Sequence, residues 1–157
     1  MKKILVLFLP LMMMGCAPEP EQPDYHWSAV ELLREQRGGL TDWQKLQMAI
    51  IWTESKGNPN VTGSHQDGGL YQMTPIFVEE VNRIAGTSYT HEDVYDPDKA
   101  IEIFNTMHLF KNPDRNLEQA IRIHNKSAGY LNTVMRNYEL IERMEIVRQK
   151  LIEYEHD

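Results

Sequence analysis

Cysteine is nearly missing from this sequence: Cys16 is the only one in 157 residues. A single thiol excludes an internal disulfide, so a hydrophobic core has to hold the fold, and the length suits one domain. Basic residues are also scarce, since 16 lysines and arginines oppose 23 aspartates and glutamates, a formal charge of −7. Without a basic patch the chain is not expected to bind nucleic acid, and no histidines at ligand spacing predict a metal or cofactor site.

Long apolar runs are missing except at the amino terminus, where residues 4–14 follow two lysines. This pattern is typical of a secretory signal over residues 1–15, and the run is too short to span a bilayer. Met13-Met14-Gly15 before Cys16 resembles a bacterial lipobox. The resemblance implies that Cys16 becomes the lipidated first residue, whose several acyl chains would anchor it stably. The alternative is cleavage elsewhere, which would leave Cys16 a stray thiol.

Residues 17–24 (APEPEQPD) are rich in proline and acidic residues and have no apolar face. We therefore expect residues 16–26 to form an extended tether that precedes a domain over residues 27–157. Ala17 after the cysteine resembles outer-membrane sorting in enteric bacteria. It implies a lipid-anchored protein of the bacterial cell envelope, in the outer membrane and facing the periplasm, although the acidic stretch leaves surface export open.

A helix is predicted to begin at Thr41, which has capping-box spacing to Gln44. Gly57 and Pro59 end it, because glycine takes the left-handed cap conformation and proline cannot continue the hydrogen-bond ladder. Between these signals, apolar residues recur at the three-and-four spacing of a buried helical face: Trp43, Leu46, Ile50 and Ile51.

Glu54 falls on the apolar face of this helix, four residues after Ile50 and close to the C-terminal end. Partial burial and the negative pole of the helix dipole both favour a protonated carboxyl over a carboxylate. A carboxyl that stays protonated near neutral pH can donate its proton to a leaving oxygen. The alternative is a helix-end glutamate that reaches into water, as most glutamates do.

Several short motifs follow one another along residues 40–138. They are Glu54-Ser55-Lys56-Gly57-Asn58-Pro59, Gly69-Leu70-Tyr71-Gln72, Asp96-Pro97, Asn125, and Tyr130-Leu131 with Val134. In this order they resemble the ES-x-GNP, GLMQ, DP, AYNAG and YV-x-x-V signatures of the lytic transglycosylase catalytic domain, whose fold goose-type lysozymes share. The resemblance implies a mainly α, lysozyme-like single domain with at most a small irregular β region, which we expect within residues 60–73.

The resemblance also implies an enzyme, a lyase that acts on peptidoglycan glycan strands. It would cleave the β-1,4 bond between N-acetylmuramic acid and N-acetylglucosamine and close a 1,6-anhydro ring on the muramoyl product. Glu54 would act as general acid and then, as the carboxylate, as base. The residues expected to bind the substrate are Ser64, Leu70, Tyr71, Gln72, His124, Asn125 and Tyr130.

Two of these residues depart from the family's pattern. Tyr71 stands where the family has methionine, and it would add a hydroxyl and a flat face suited to a sugar. His124 stands at the position of a tyrosine that approaches the catalytic glutamate, and Lys126-Ser127 follow in place of Ala-Gly. A charged imidazole would oppose a protonated Glu54, so we expect His124 to be neutral in the site. The alternative is a helix-end histidine that faces solvent.

Further helices are predicted, and those that begin at Ser28, Thr74-Pro75 and Asp96-Pro97 are interpreted as scaffold. Helix starts are expected at Ser28, Thr74-Pro75, Asp96-Pro97 and Asn116, followed by a long amphipathic helix, or two joined, from Tyr130 to Ile152. The helix from Ser28 is expected to pack behind the Glu54 helix. The later apolar positions of the last helix are expected to lie in the core.

Two other functions remain open. Asp67 in the turn-rich loop is a candidate second carboxylate, which a lysozyme-type hydrolase would use, although its position before Gly68-Gly69 favours a turn residue. Alternatively, the domain is a non-catalytic lipoprotein that binds glycan. The products released from peptidoglycan separate these functions from lytic transglycosylation.

Overall fold

The computed structural model describes residues 39–155, with side chains described for residues 39–150. The predicted signal, tether and first helix, within residues 1–38, lie outside the described residues. Across residues 39–155 the fold is mainly α, as predicted. The helices are α1 (Asp42–Glu54), α2 (Pro75–Ala85), α3 (Pro97–Lys111), α4 (Leu117–His124) and α5 (Ala128–Glu155), with a 3-10 helix at His91–Tyr95 between α2 and α3.

The loop between α1 and α2 contains the little β structure that the described residues have. Two isolated antiparallel bridges pair Gly68 with Thr62 and with Met73. This agrees with the expected small irregular β region. None of the helices within residues 39–155 combines the length and the apolarity needed to cross a membrane.

The helix boundaries follow from the capping residues seen in the sequence. Thr41 and Gln44 form a reciprocal capping box, in which each side chain bonds the backbone N–H of the other residue. Side chains at the N-caps of the next three α-helices likewise accept backbone N–H groups that the first turn leaves free. These N-caps are Thr74, Asp96 and Asn116.

The core forms around α1, which packs along α5 and also contacts α4. The 3-10 helix and α2 pack against α3 on the other side of the fold. Burial of one apolar stripe from each helix is the main source of stability in a chain of this size. Side chains with no exposed surface include Leu46, Ala49, Ile50, Tyr71, Val81, Ile103, Phe104, Ile121 and Val134.

The second half of α5 extends beyond this core, which corrects one expectation. Within residues 128–150, Tyr138 is the last buried residue of the helix, and the apolar residues after it that were expected in the core are largely exposed: Leu140, Met144 and Val147. The reason is length, because 28 residues of helix measure roughly 42 Å.

Two adjacent glycines allow the loop to pack tightly against the 3-10 helix. Gly69 has a φ of +73°, and a Cβ at this position would overlap the backbone carbonyl of Val94. A Cβ on Gly68 would lie 2.6 Å from the hydroxyl of Tyr95. Gly69 is therefore required both by conformation and by space, whereas a side chain at Gly68 would have to displace the ring of Tyr95.

Candidate active site

Glu54 is the last residue of α1, and its side chain is 19% exposed. The apolar residues Ile50 and Ile51, one turn earlier, anchor the same end of the helix in the core. Ser55 caps the helix and Gly57 takes a φ of +83°, so the chain turns away directly after the glutamate. The carboxyl thus lies at the edge of the core, where it is partly buried and keeps some contact with solvent.

Ser55 joins this end of the helix to the Gly69-Leu70-Tyr71-Gln72 segment. Its hydroxyl is buried and donates to the carbonyl of Leu70 at 2.9 Å, while the N–H of Gly57 donates to the same hydroxyl at 3.1 Å. On the other side, the amide of Asn137 on α5 donates to the hydroxyl of Thr53 at 2.9 Å. Glu54 is therefore flanked by two residues that are each tied to a different part of the fold.

His124, the last residue of α4, reaches Glu54 from across the helix interface. Its Nε2 lies 3.3 Å from Oε1 of Glu54, and its side chain is only 7% exposed. Its Nδ1 is buried without a hydrogen-bond partner. The alternative of a solvent-facing histidine is wrong, because α4 presents this side chain to the end of α1.

Tyr130, in the first turn of α5, completes the group around the carboxyl. Its hydroxyl is buried and has no hydrogen-bond partner. Burial, followed by the negative charge of Glu54, raises the pKa of Tyr130, so the phenol stays neutral and lies beside the carboxylate. Its ring stacks on His124 with centroids 5.9 Å apart.

Aromatic side chains from α2 and α3 pack near the imidazole of His124. Phe77 and Phe104 lie with ring centroids 6.1 Å and 6.4 Å from the imidazole. His108, one turn after Phe104, is 2% exposed and both of its ring nitrogens lack partners. Burial, and next the nearby His124, lower the pKa of His108 to about 4. Its partners Trp43 and Phe104 are aromatic, and nothing in the sequence marks them as partners.

Leu70 and Tyr71 do not offer the contacts expected of them as substrate-binding residues. Leu70 is 4% exposed and Tyr71 has no exposed surface. The ring of Tyr71 stacks on Phe104 at 4.4 Å, and its hydroxyl donates to Oε1 of Gln47 at 2.8 Å. The flat face that was expected to take a sugar is occupied by the core, so the interpretation of Tyr71 as a sugar platform is corrected.

Gln72 and Ser64 lie in the loop with their polar groups engaged locally. The amide nitrogen of Gln72 donates to the carbonyls of Val61 and Gly69, both at 2.9 Å, which stabilises its own positive φ of 49° within the loop. Ser64 is exposed, and its hydroxyl pairs with Nδ1 of His65 at 3.0 Å. Binding of glycan by these two residues stays a prediction.

Asp67 and Asn125 also form turns. The carboxylate of Asp67 accepts the N–H of His65 at 2.9 Å, in the manner of the turn residue that its position suggested. Asn125 caps α4, is exposed, and accepts the N–H of Ser127 at 3.0 Å. Its place next to His124 keeps Asn125 a candidate for substrate contact.

The assembled group can perform proton transfer. Glu54, His124 and Tyr130 come from three helices and place one carboxyl against an imidazole and a phenol. A carboxyl in such a setting can serve as general acid and base. Within residues 39–150, no group of three or more His, Cys, Asp and Glu side chains is arranged to hold a metal ion.

Comparison with protein families gives one match. The model of the transglycosylase SLT domain matches residues 31–139, which include Glu54, His124 and Tyr130 and end just after the last buried residue of α5. Neither the curated proteins nor the solved structures yield a significant match to the chain.

Proposed function

The chain belongs to the transglycosylase SLT domain family, whose members are peptidoglycan lytic transglycosylases, and we propose that Glu54 is the group with which it breaks the glycan strand. The bond is the β-1,4 link between N-acetylmuramic acid and N-acetylglucosamine. The observation that supports this most strongly is the place of Glu54: a mostly buried carboxyl at a helix end, 3.3 Å from His124.

The reaction needs one carboxyl in two states. Protonated Glu54 gives its proton to the glycosidic oxygen as the bond from that oxygen to C1 of the muramoyl sugar breaks, and the departing sugar keeps the proton as its 4-hydroxyl. The muramoyl 6-hydroxyl then bonds to C1. Its proton passes to the Glu54 carboxylate, which restores the starting acid and leaves a 1,6-anhydro ring. No water is consumed.

The surroundings of Glu54 support this order of events over hydrolysis. Its partners are an imidazole and a phenol, whereas glycoside hydrolases use a second carboxylate as nucleophile or base. The one carboxylate that the sequence offered for that task, Asp67, already accepts a backbone N–H of its own loop. The 6-hydroxyl of the substrate therefore takes the place of the second protein group.

The direct test is digestion of purified sacculi by the wild type and by Glu54→Gln, with mass spectrometry of the released fragments. We expect 1,6-anhydromuramoyl ends from the wild type and a fall in turnover of roughly 100- to 10,000-fold in the variant, the usual contribution of general acid–base catalysis. Glutamine keeps the shape of the side chain, so glycan binding should persist. Reducing muramoyl ends would support a hydrolase instead, and a folded wild type that binds strands without releasing fragments would support a glycan-binding protein.

We further propose that Cys16 carries the lipid that holds the domain at the bacterial cell envelope, in the outer membrane and facing the periplasm. The support is the order of a signal-like run, Met13-Met14-Gly15-Cys16 and a proline-rich tether over residues 17–24. Cys16→Ser should release the protein from the membrane fraction and remove the acyl mass from the amino-terminal peptide. A Cys16→Ser protein that stays in the membrane fraction would contradict this part.

A further inference from the structure

His124 contacts Glu54 through one nitrogen only. Its Nε2 is 3.3 Å from Oε1 of Glu54, whereas Nδ1 is buried without any partner. The ring stacks on Tyr130, with Phe77 edge-on to it and Phe104 tilted against it. The aromatic rings therefore fix the orientation of the imidazole, and α4 fixes its distance from the carboxyl.

This asymmetry favours one of the two neutral tautomers of the His124 imidazole. A neutral imidazole has a single N–H. On Nε2 that hydrogen has a carboxyl oxygen 3.3 Å from the nitrogen as a possible acceptor, but on Nδ1 it would be buried without an acceptor, which is unfavourable. The tautomer that carries its hydrogen on Nε2, on the side of the carboxyl, is therefore favoured.

Resting on the proposed role of Glu54, we propose that His124 is a positioning residue that donates from Nε2 to Oε1 of Glu54 and so selects Oε2 as the oxygen that exchanges the catalytic proton. The distance of 3.3 Å is long for such a bond. Hydrogen bonds in unliganded active sites commonly tighten when substrate binds.

Two further titratable groups lie close to the pair. Tyr130 on α5 stays neutral because burial and the charge of Glu54 raise its pKa. His108 on α3 stays neutral above about pH 4 because burial and His124 lower its pKa to about 4. Neither neighbour therefore changes its charge in the neutral range.

Two substitutions in the full-length protein separate the hydrogen bond from the packing. His124→Phe keeps a flat ring between the aromatic neighbours but has no donor. We expect kcat to fall roughly tenfold or more with KM changed less than about twofold, since the acid is no longer held in place. Because a donor on Oε1 stabilises the carboxylate, its loss should also move the alkaline limb of the pH profile up by about one pH unit.

His124→Gln provides the rescue, because its amide nitrogen can donate from nearly the same place but takes no second proton. We expect wild-type kcat within about threefold and an unmoved alkaline limb. His65→Gln, at an exposed loop histidine, is the matched control and should behave as the wild type. Thermal unfolding of each variant checks that it is folded as the wild type is.

The inference fails if His124→Phe is folded and keeps both the wild-type kcat and the wild-type alkaline limb. It also fails if His124→Gln is folded and loses as much activity as His124→Phe, since the donor would then not be the relevant property. The proposed function fails separately, through the wild type alone, if sacculus digests contain no 1,6-anhydromuramoyl ends.

Discussion

The two sides of Glu54 are built differently. On one side, the Gly69-Leu70-Tyr71-Gln72 segment has its polar groups satisfied: the Tyr71 hydroxyl bonds Gln47, and the Gln72 amide bonds two carbonyls of the loop. On the other side, Nδ1 of His124 and the hydroxyl of Tyr130 are buried without partners. Polar atoms left unpaired in a folded protein call for an explanation beyond stability.

From this difference we expect the segment to serve mainly the architecture and the α4–α5 side to serve the chemistry proposed for Glu54. The satisfied segment holds the end of α1 through the bond from Ser55 to the carbonyl of Leu70. The unsatisfied side supplies the groups that face the carboxyl. Substitutions in the segment should therefore change the free energy of unfolding, and substitutions at the α4–α5 side should change turnover.

The largest expected effect is on the architectural side. Gly69→Ala adds a Cβ that overlaps the carbonyl of Val94 at a residue with positive φ, so we expect loss of folding or a destabilisation above about 3 kcal/mol. The measurement is thermal unfolding by circular dichroism. Gly86→Ala is the matched control, since φ there is +69° with nothing within 4 Å, and strain alone should cost about 1–2 kcal/mol. Equal losses in both variants would contradict tight packing at Gly69.

The next largest effect is on the pH dependence of stability, and it comes from His108, which lies buried near His124. Its pKa is about 4 in the fold and about 6.5 when unfolded, so protons bind the unfolded chain first as pH falls. The contribution of neutral His108 to the free energy of unfolding is therefore complete above about pH 6.5. It is lost as pH falls toward 4, by about 2–3 kcal/mol between pH 7.5 and pH 4.5.

Unfolding by denaturant at these two pH values tests this contribution. His108→Leu should lose less stability than the wild type over the interval, by that same amount, whatever its absolute stability is. His65→Gln should keep the wild-type dependence, because this histidine is exposed. A His108→Leu protein with the wild-type dependence on pH would show that His108 titrates normally in the fold.

The smallest expected changes in stability and turnover come from removing one tyrosine hydroxyl on each side of Glu54. Tyr71→Phe breaks the bond to Gln47 and should cost about 1 kcal/mol with turnover unchanged. Tyr130→Phe removes an unpartnered hydroxyl, so stability should change by less than about 0.5 kcal/mol while turnover falls roughly tenfold. Denaturant unfolding and sacculus digestion measure the two quantities. A loss of turnover in Tyr71→Phe together with a loss of stability in Tyr130→Phe would contradict the comparison between the two sides.

Local signals in the sequence predicted the helices well. Caps such as Thr41, Thr74 and Asp96 act through bonds to the next few residues, so sequence spacing is enough to find them. The end of α1 and the partial burial of Glu54 likewise follow from helical periodicity and from Gly57.

Contacts between distant residues could not be predicted in the same way. Tyr71 stacks on Phe104, 33 positions later, and this pairing decides that Tyr71 is core rather than groove. The same periodicity that buries Val134 on α5 leaves Met144 exposed, because burial depends on where the other helices end. The family resemblance identified position 124, but only the packing of α4 against α1 showed which nitrogen of His124 meets the carboxyl.

In the proposed reaction, the substrate's own hydroxyl takes the place of water at Glu54. Digestion of sacculi in water enriched in 18O tests this directly by mass spectrometry of the muramoyl ends. We predict anhydro ends, lighter than hydrolysed ends by one molecule of water and free of 18O, since no solvent oxygen enters the product. Muramoyl ends that carry solvent 18O, in digests made by the wild type and absent from Glu54→Gln, would contradict it.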